Sequence, residues 1–423
     1  MRSSPMTRGV LGAALCLVVV LAVAACGSSS SSGSSSLLSS ASSPLVIADV
    51  QPPVAAGGPD FTSGMEVEAD KLNKEGGVEG HKIELKILSV PGTPAGVVGG
   101  YRAAAADSSV IGTFVGDAGD ELKPLGAELK LPALTATGTD SILQPTVPYI
   151  FSTTWGSQFA TSSTVWALKQ AKGKKIALIH YNFDFSQSIP SALHNLCKEK
   201  GCEIVDEEAS TAEASVEQLT PQLEKMKASG ADVYYIEGLN PNGFKAAKNL
   251  GMLSEGKPIA SDQWLAVPAI ATACGEDCNG AVFGGGKCRL NLNGFKELVQ
   301  TEKITEFCKE YVKEWEEKNP GKEFAIYSIY GHDTVLDIAT VVKNLLTAKK
   351  PVTRAALAEG LENLKGEPQT SQGLVTTHPG DHRLTATWKE ANVNIKTSFT
   401  GGKLHYSLAT LSEAPGAEAP ESE

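Results

Sequence analysis

The residues best suited to chemistry lie between positions 108 and 140, where two apolar runs each end in small, hydroxylated and glycine-rich residues. The runs are 110–112 and 131–134. In an open α/β sheet, ligands bind outside the carboxyl ends of the strands, because the following helices offer free N–H groups and glycine allows close approach. The two strand ends therefore predict one wall of a polar, ligand-binding cleft. Two ordinary strand-to-helix turns would have the same composition, and this stretch alone leaves both interpretations open.

No short motif that carries a catalytic mechanism is present. The sequence has no Gly-x-Ser-x-Gly, no His-Glu-x-x-His, no phosphate-binding loop and no Gly-x-Gly-x-x-Gly after its first apolar run. The glycines at 284–286 lack the Lys-Ser/Thr that a phosphate loop requires. A protein that binds without performing chemistry is therefore predicted, and a hydrolase with a dispersed triad is the competing class.

The cysteines beyond the N-terminal region predict disulfides. In chain order they pair as Cys197 with Cys202, Cys274 with Cys278, and Cys288 with Cys308. In an exported chain an even number of cysteines indicates disulfides, although sequence leaves their connectivity open. Cys274 and Cys278 could instead form half of a metal site, but no second pair or nearby His completes a zinc set. His332 and His382 also lie in no ligand-spaced cluster, so structural roles, no metal and no cofactor are expected.

The N-terminal region has the pattern of an export signal. Arg2 and Arg8 precede an apolar run at 10–23, which closes on Val-Ala-Ala-Cys-Gly at Cys26. This arrangement resembles a bacterial lipoprotein signal, which implies that residues 1–25 are removed and that the Cys26 sulfur carries lipid. The Ser-rich stretch 26–43 is then expected to be a flexible tether. The alternative is an uncleaved anchor, although the apolar run is short for a transmembrane helix.

Composition and charge restrict the fold and the partners. The chain carries a formal net charge of -11, with 42% hydrophobic and 20% charged residues, which is typical of a soluble globular protein. The acidic balance and the lack of a basic patch argue against nucleic acid as a partner. Roughly 380 residues remain after the leader, which is too long for one ordinary core and predicts two lobes.

The remaining segments alternate between strand and helix patterns. Near-continuous apolar runs at 45–50, 175–180 and 232–236 are typical of strands covered on both faces. Helical spacing, as at 63–74, separates such runs, which predicts right-handed βαβ units and parallel sheets. Two such series follow one another along the chain, so the predicted fold is α/β with two doubly wound lobes.

Four stretches carry a resemblance to a known family. They are GMEVEADKLNKEGGVEGHKIELK at 64–86, the pair VIGTFVG and TATGTDSIL at 110–116 and 135–143, YGHDT at 330–334, and PGDHR at 379–383. Together they make residues 44–406 similar to the type I periplasmic solute-binding proteins of ABC importers, in the branch of leucine/isoleucine/valine-binding and amide-binding proteins. The resemblance implies a clamshell of two parallel-sheet lobes joined by a three-segment hinge, which closes on a ligand between the lobes.

The resemblance also implies where the chain crosses between the lobes. Crossings near 152–156, 284–287 and 380–383 would build lobe one from 44–152 and 285–380, and lobe two from 153–284 and 381–412. The tail at 413–423, rich in Pro, Ala and Glu, is expected to be disordered.

Ligand contacts are implied on both lobes. In lobe one, two loops would hold the carboxylate and ammonium of an amino acid with backbone and hydroxyl groups. The residues of these loops are Val115, Gly116, Asp117, Thr137, Gly138 and Thr139. In lobe two, Phe185 would close over the ligand, and the acid that pairs with the ammonium should lie at Gln263 or the adjacent Asp262.

Several positions depart from the amino-acid-binding members. Gly116 stands where a serine hydroxyl is common, residues 237–239 lack an expected aromatic group, and a first-loop tyrosine is missing. A zwitterion in a closed cleft needs an acid for its ammonium, and Asp117, Glu237 or Asp262 could supply it. A leucine-type ligand is therefore the family default, and another small polar or aromatic solute is the alternative.

Other readings stay open for individual residues. Thr137 and Thr139 could be helix caps instead of ligand contacts. The polar residues around Phe185 predict a loop, which favours its exposure in the cleft. Trp155 and Trp264 are expected either to line the cleft or to pack between the lobes.

The predicted function is that of a lipid-anchored, extracytoplasmic solute-binding protein. It would be a monomer that captures a small molecule by hinge closure and hands it to an ABC permease in the membrane. A sensor that reports solute occupancy to a membrane receptor would need the same closed clamshell, so the sequence leaves these two roles open.

Overall fold

The computed structural model describes residues 36–52, 58–182, 184–286, 306–322, 324, 327–371, 373–386 and 392–409. Within these ranges the chain forms two α/β lobes, each built around its own sheet, as the alternating pattern predicts. No helix of the described ranges is long and apolar enough to span a membrane. The same ranges contain no group of three or more His, Cys, Asp or Glu arranged to hold a metal ion.

The first lobe begins with five parallel strands in the order β2-β1-β3-β4-β5. The strands are β1 (Leu45–Gln51), β2 (Ile83–Ser89), β3 (Val110–Phe114), β4 (Ala133–Thr135) and β5 (Ile150–Ser152). Three helices connect them, α1 (Gly58–Lys74), α2 (Pro94–Ala106) and α3 (Leu125–Leu129). Alternate residues of β1 point to opposite faces: Ile47 packs in the core with α1, and Ala48 in the core with α2. Both faces of β1 and β3 are covered, which explains why these inner strands are mostly apolar, whereas the edge strand β2 contains exposed polar residues.

The second lobe follows, with helices again alternating with parallel strands. Its elements are α4 (Gln158–Ala171), β6 (Lys175–Tyr181), α5 (Asp184–Lys200), β7 (Glu203–Ser210), α6 (Val216–Ala228), β8 (Val233–Ile236), α7 (Asn242–Asn249), β9 (Ile259–Ser261), α8 (Pro268–Cys274) and β10 (Val282–Gly286). Ser215 starts α6 with a capping box, in which its hydroxyl accepts from the N–H of Gln218 and the Gln218 side chain accepts from the N–H of Ser215.

The chain then returns to the first lobe before it completes the second. The returning elements are α9 (Glu306–Lys318), α10 (Ser328–Thr347), α11 (Arg354–Glu362), β11 (Lys365–Thr370) and β12 (Gly373–Thr376). The last two strands, β13 (Asn392–Thr400) and β14 (Lys403–Leu408), pair antiparallel and join β10, which gives the second sheet the order β14-β13-β10-β9-β8-β6-β7. Each lobe is therefore assembled from separated segments of sequence.

Helices α1 and α10 pack closely because glycines lie where they cross. A Cβ on Gly64 would lie 1.7 Å from the carbonyl oxygen of Ser328, and a Cβ on Gly331 would lie 1.9 Å from that of Phe61. Only glycine permits this approach. The packing brings Phe61 and Tyr330, near the starts of the two helices, to the same edge of the first sheet.

Two crossing segments run side by side between the lobes. The N–H of Ser152 donates to the carbonyl of His382 at 3.0 Å, and the N–H of Leu384 donates to the carbonyl of Ser152 at 2.7 Å. The indole of Trp155 is buried beside them, donates to the carbonyl of Ala386 at 3.2 Å and packs edge-on against Phe159. Of the two roles expected for Trp155, packing is the one that these contacts support.

Some local predictions were wrong. The residue pattern at 121–130 predicts a helix, but the helix covers only Leu125–Leu129, because Pro124 has no N–H with which to continue a helix. The pattern at 383–388 predicts a β-like segment, but within the described residues it makes only a bridge between Ser152 and Arg383. Strand β11 was not expected, because its sequence, KGEPQT, is polar and contains proline.

The predicted disulfides Cys197–Cys202 and Cys274–Cys278 are both confirmed. Cys308 is also disulfide-bonded, whereas Cys288 lies outside the described residues. The signal peptide at 1–25, the lipidation site Cys26 and the tail at 413–423 lie outside them as well and stay predictions.

The last part of the expected tether, residues 36–43, is held against the rest of the protein. Leu37 donates its N–H to the carbonyl of Val352 at 2.8 Å, and Leu37 and Leu38 pack against the core. These two leucines interrupt the serine run and supply the apolar surface that the rest of it lacks. Residues 36–43 therefore follow the first lobe as an ordered segment.

Candidate functional site

A small cavity lies between the lobes, where strands β3, β4 and β9 end. Its volume is about 20 Å³, which is room for about one water. We call it the aromatic cavity, and its described lining is Phe61, Asp117, Ala136, Gly138, Gln263, Trp264, Tyr327 and Tyr330. Asp117, Gly138 and Gln263 each follow a strand within three residues of its end, as expected for the ligand edge of an α/β sheet.

A larger groove lies between the lobes beside the same loops. We call it the polar groove; its volume is about 410 Å³. The first lobe contributes Asp120, Thr139, Asp140, Ser141 and Gln144, and helix α5 of the second contributes Gln187, Ser188, Ser191, Ala192 and Asn195. The loop at 137–139 therefore separates two spaces, with Gly138 at the aromatic cavity and Thr139 at the polar groove.

The aromatic rings form a wall that spans the two lobes. Tyr327 lies between Phe61, at 5.4 Å between ring centroids, and Trp264 of the second lobe, at 6.3 Å. The hydroxyl of Tyr330 reaches the side-chain oxygen of Gln263 at 3.5 Å. Trp264 thus lines the cavity and also packs between the lobes. Because the rings touch across the cleft, a ligand larger than a water molecule can enter only when the lobes or the rings move apart.

The threonine loop is held by its own hydroxyls. Thr137 donates its hydroxyl to Thr139 at 2.9 Å, and the N–H of Thr139 donates back to Thr137 at 3.2 Å. Thr139 precedes a short turn at Asp140–Ile142 but makes no side-chain capping bond with it. Thr139 therefore does not act as a helix cap through its side chain. The residue is buried and lies at the edge of the polar groove.

The first predicted loop contributes mainly through its backbone. Val115 is fully buried and packs in the core on the α2 face, so its side chain does not reach the aromatic cavity. Gly116 has a φ of +62°, and its carbonyl accepts from the hydroxyl of Thr135 at 2.8 Å. This turn points the chain so that Asp117 lines the cavity.

The two acids of the second lobe are buried with partners of their own. Glu237 accepts from the N–H of Tyr181 at 2.7 Å and from the hydroxyl of Ser186. Burial and the nearby Asp262 carboxylate raise the pKa of Glu237 well above its ordinary value. Neither Glu237 nor Asp262 is part of the described cavity lining.

Asp262 holds together the turn that carries Gln263 and Trp264. One of its oxygens accepts from the N–H of Trp264 at 3.0 Å, and the other accepts from the hydroxyl of Tyr235 at 3.0 Å and the N–H of Gly238 at 3.3 Å. Of the three acids expected to pair with an ammonium, Asp117 is therefore the one that lines the cavity.

The loop expected around Phe185 was wrong, because Phe185 lies in the first turn of α5, which begins at Asp184. Asp, Ser and Asn favour the first turn of a helix as well as loops, so their presence did not distinguish the two. The expectation that Phe185 closes over a ligand stays a prediction.

Sequence reasoning missed half of the described residues that line the aromatic cavity. The missed residues are Phe61, Ala136, Tyr327 and Tyr330. One signal could have found three of them: aromatic residues at the starts of α1 and α10, because helices of a parallel α/β lobe begin at the ligand edge of the sheet.

Comparisons with known proteins agree with this arrangement. The family described as Periplasmic binding protein matches residues 46–401. The Leu/Ile/Val-binding protein homolog 3 of Brucella melitensis is 24% identical over 270 residues, which cover 61% of this chain and 71% of that protein.

Two solved structures share the fold at low identity. The ABC transporter substrate-binding protein from Sphaerobacter thermophilus has a TM-score of 0.71 and 15% identity, covering 87% of this chain and 97% of that one. An ABC transporter substrate-binding protein from Desulfitobacterium hafniense, solved in complex with Leu, has a TM-score of 0.65 and 17% identity, covering 86% and 100%.

Proposed function

The chain belongs to the periplasmic binding protein family, and on that premise we propose that it is the solute-binding component of an ABC importer. Members of this family are receptors for transported solutes and not enzymes. The observation that carries the proposal is the aromatic cavity, because its lining comes from both lobes at the ends of their strands. A ligand held there contacts both lobes at once, so binding energy favours the closed arrangement over the open one.

The proposed ligand is a branched-chain amino acid or a closely similar small solute. The Brucella melitensis relative is named for leucine, isoleucine and valine, and the Desulfitobacterium hafniense structure contains Leu. An aliphatic side chain would lie against the rings of the aromatic cavity, where burial of its apolar surface stabilises the complex. Opening the lobes separates Trp264 from Tyr327 and Gln263 from Tyr330, and closing restores those contacts around the ligand.

The proposed location is outside the cytoplasm, with Cys26 as the site of a lipid anchor. The two described disulfides fit an oxidising compartment. If the proposal is right, Cys26→Ser releases the protein from the membrane fraction into the medium or periplasm, and mass spectrometry finds lipid on the N-terminal peptide of the unchanged protein. Recovery of an unmodified N-terminal peptide from the membrane fraction would contradict the anchor.

The binding proposal is tested by calorimetry and thermal unfolding of the full chain, refolded first to remove carried-over solute. Leucine, isoleucine and valine are compared with acetamide, urea and glucose. A ligand that binds only the folded state adds about 2.7 kcal/mol of stability at one hundred times its dissociation constant. X-ray scattering should show a smaller radius of gyration with the ligand than without it.

Thr139→Ala tests the loop beside the cavity, and we expect it to weaken binding. Thr220→Ala is its control, because the hydroxyl of Thr220 bonds only within α6, to the carbonyl of Val216 at 2.7 Å. If only a solute that is not an amino acid raises the unfolding temperature, the proposal of a solute-binding protein stands and the proposal of a branched-chain ligand is wrong. No shift and no change in scattering with any solute would contradict the importer role.

A further inference from the structure

We propose that Asp49 is a positioning residue for the aromatic cavity. Through the hydroxyl of Thr62 it fixes the first turn of α1, and with it the ring of Phe61, in the arrangement that binds a ligand. The inference rests on the proposed function for the position of the site. It adds a residue that controls ligand affinity from outside the described cavity lining.

Asp49 occupies an unusual place for a carboxylate. It is the only charged residue of β1, whose sequence is LVIADVQ. It lies two residues after Ile47 and therefore on the same face of the strand, the one that α1 covers. Asp49 is 1% exposed, and its register partners on the neighbouring strands, Ile87 and Phe114, are apolar. A carboxylate in this position costs free energy that an apolar side chain would not.

Thr62 joins this carboxylate to the start of α1. Its hydroxyl donates to Oδ2 of Asp49 at 2.5 Å and accepts from the side-chain amide of Gln51 at 2.5 Å. The carbonyl of Gly58, one turn earlier in the helix, lies 3.1 Å from the same hydroxyl. We call Asp49, Gln51 and Thr62 the α1 brace, because they join the end of β1 to the first turn of α1.

The α1 brace lies next to a ring of the aromatic cavity. Phe61 immediately precedes Thr62 and lines the cavity. Its ring packs edge-on against Phe114, at 5.1 Å between centroids, and lies 5.4 Å from Tyr327. Because Phe61 and Thr62 belong to one helical turn, a movement that breaks the bond between Thr62 and Asp49 also displaces the ring. The brace therefore sets part of the wall that a ligand meets.

The charge of Asp49 makes the brace sensitive to pH. Burial raises the pKa of Asp49 to about 6, the hydrogen bond from Thr62 opposes that rise, and the nearby Glu66 carboxylate adds to it. Glu66 itself lies 3.9 Å from the ammonium of Lys318. A hydrogen bond to an ionised acceptor is roughly twice as strong as a neutral one. The first turn of α1 is therefore held most firmly when Asp49 is ionised.

Asp49→Asn separates positioning from a merely structural role, because the two roles predict opposite pairings of stability and affinity. The folded pKa of Asp49 is raised above its unfolded value of 3.8, so Asp49 lowers stability as pH rises through both values. Asn cannot ionise, so at pH 7.5 we expect the variant to be at least as stable in urea as the unchanged protein. A residue that only held the fold would lose stability and affinity together.

The expected loss of affinity follows from the looser turn. A ligand that needs the ordered turn binds with an apparent affinity reduced to the fraction of molecules that has it. At pH 7.5 we expect Asp49→Asn to bind at least about fivefold less tightly than the unchanged protein, since it loses a hydrogen bond to a charged group. At pH 5, where Asp49 is largely protonated, the two affinities should agree within about twofold.

Thr62 variants test the route from Asp49 to the cavity. Thr62→Val removes the hydroxyl and should weaken binding at least about fivefold at pH 7.5, whereas Thr62→Ser keeps the hydroxyl and should stay within about twofold. Hydrogen exchange gives a second measurement, because the amides of residues 62–65 donate to the carbonyls of the first turn. Thr62→Val should speed their exchange, and Thr62→Ser should not.

Thr353→Val is the matched control. Thr353 is also a buried threonine of the first lobe, and its hydroxyl accepts the N–H of Ala356 at 3.0 Å to cap α11. It follows the end of α10 that is opposite the aromatic cavity. The variant should lower the free energy of unfolding through the lost cap and leave ligand affinity unchanged.

Isothermal titration of the refolded full chain uses leucine, isoleucine, valine, acetamide, urea and glucose at pH 5 and pH 7.5. The inference is wrong if Asp49→Asn binds as tightly as the unchanged protein at pH 7.5, or if its deficit is the same at both pH values. It is also wrong if Thr62→Val leaves the exchange of residues 62–65 unchanged. In these cases binding by the unchanged protein keeps the proposed function. If the unchanged protein binds none of the six solutes, the proposed function fails and the inference fails with it.

Discussion

Asp140 accepts a hydrogen bond at Oδ1 from Nη2 of Arg383 at 2.5 Å, and this ion pair ties the loop after β4 to a segment that crosses between the lobes. The other oxygen of Asp140 accepts from the hydroxyl of Ser157, just before α4. Its backbone N–H donates to the hydroxyl of Ser188 on α5 at 3.1 Å. One residue therefore links the first lobe to a crossing segment and to two helices of the second. Because Thr139 immediately precedes it, the predicted ligand loop is held by the same contacts.

Asp140→Ala should destabilise the fold by about 2 kcal/mol, because it removes a half-buried carboxylate that pairs with the buried Arg383 and leaves that guanidinium incompletely compensated. Arg383 is only 7% exposed, and among the residues that the structure describes it keeps one carboxylate partner, Asp381, at 2.6 Å. Urea unfolding measures the loss. Lys313→Ala is the control: its pair with Glu317 is exposed, at 3.8 Å, and should contribute less than about 0.5 kcal/mol. Equal effects of the two variants would show that the Asp140 pair has no special role.

Gly156→Ala should disturb the same place through backbone sterics. Gly156 has a φ of +64°, and a Cβ there would lie 2.6 Å from Oδ1 of Asp140 and 3.0 Å from the carbonyl of Gly138. Gly230→Ala is the control, because Gly230 has a φ of +75° and no atom lies within 4 Å of its Cβ position. It measures only the cost of placing an alanine in the left-handed backbone conformation, about 1–2 kcal/mol.

We expect Gly156→Ala to lower the free energy of unfolding more than Gly230→Ala does, and to weaken ligand binding, which Gly230→Ala should leave unchanged. Urea unfolding and calorimetry with leucine measure the two effects. If the two variants lose the same free energy of unfolding and Gly156→Ala binds leucine as tightly as the unchanged protein, the close approach of Gly156 to the loop contributes nothing to stability or binding.

The periodic parts of the fold could be predicted from sequence because they follow local rules. The alternation of Ile47 and Ala48 between two cores, and the position of Asp117 and Gly138 just beyond strand ends, both follow from strand geometry and the α/β rule. The short cysteine spacings gave two disulfides for the same reason, since Cys197–Cys202 and Cys274–Cys278 are local contacts.

The aromatic wall could not be predicted, because tertiary packing alone brings its members together. Phe61, Trp264 and Tyr327 belong to distant segments and two lobes. Positions at helix starts could have placed Phe61 and Tyr327 at the ligand edge of the first sheet, but no sequence signal shows that these rings meet Trp264 of the second lobe. Asp262 shows the converse: the resemblance predicts a ligand contact there, yet its oxygens hold the turn around Trp264. Sequence position indicated a turn whose next two residues line the aromatic cavity, but not the direction in which the Asp262 carboxylate points.

Stability should fall as pH rises from about 6.5 to 9, because of His332. Burial alone would lower its pKa, but the Glu68 and Asp333 carboxylates outweigh burial and raise the pKa to about 9. Its ring nitrogens lie 2.9 Å from Glu68 and 3.0 Å from Asp333. Since the unfolded pKa is 6.5, the folded state holds an extra proton between these values. The contribution, about 3 kcal/mol, is complete below pH 6.5 and is lost as pH rises through 9.

Urea unfolding at several pH values between 6 and 10 measures this loss. His332→Gln should be less stable than the unchanged protein at pH 6 and should show a flatter profile, because it cannot take up the proton. His194→Gln is the control, because the pair of His194 with Glu207 is largely exposed. A profile for His332→Gln that parallels the unchanged protein would assign the pH dependence to another group.

Asp337 opposes folding at neutral pH, so Asp337→Asn should stabilise the protein there. Both of its carboxyl oxygens are buried, and no hydrogen-bond partner for them lies among the described residues. Burial and the nearby Asp333 raise the pKa of Asp337 well above its ordinary value, against the opposing effect of His332. For an acid whose folded pKa is raised, stability declines as pH rises above the unfolded pKa of 3.8.

Asn has the shape of a protonated Asp and cannot ionise. At about pH 4 the unchanged protein and Asp337→Asn should therefore have similar unfolding free energies, and by pH 7 the variant should be more stable by about 1 kcal/mol or more. Asp70→Asn, which changes an exposed acid paired with Lys318, should differ from the unchanged protein by less than about 0.5 kcal/mol at both pH values. Urea unfolding midpoints at pH 4 and pH 7 test this prediction. If the stability difference between Asp337→Asn and the unchanged protein does not grow with pH, burial of the Asp337 carboxylate does not oppose folding.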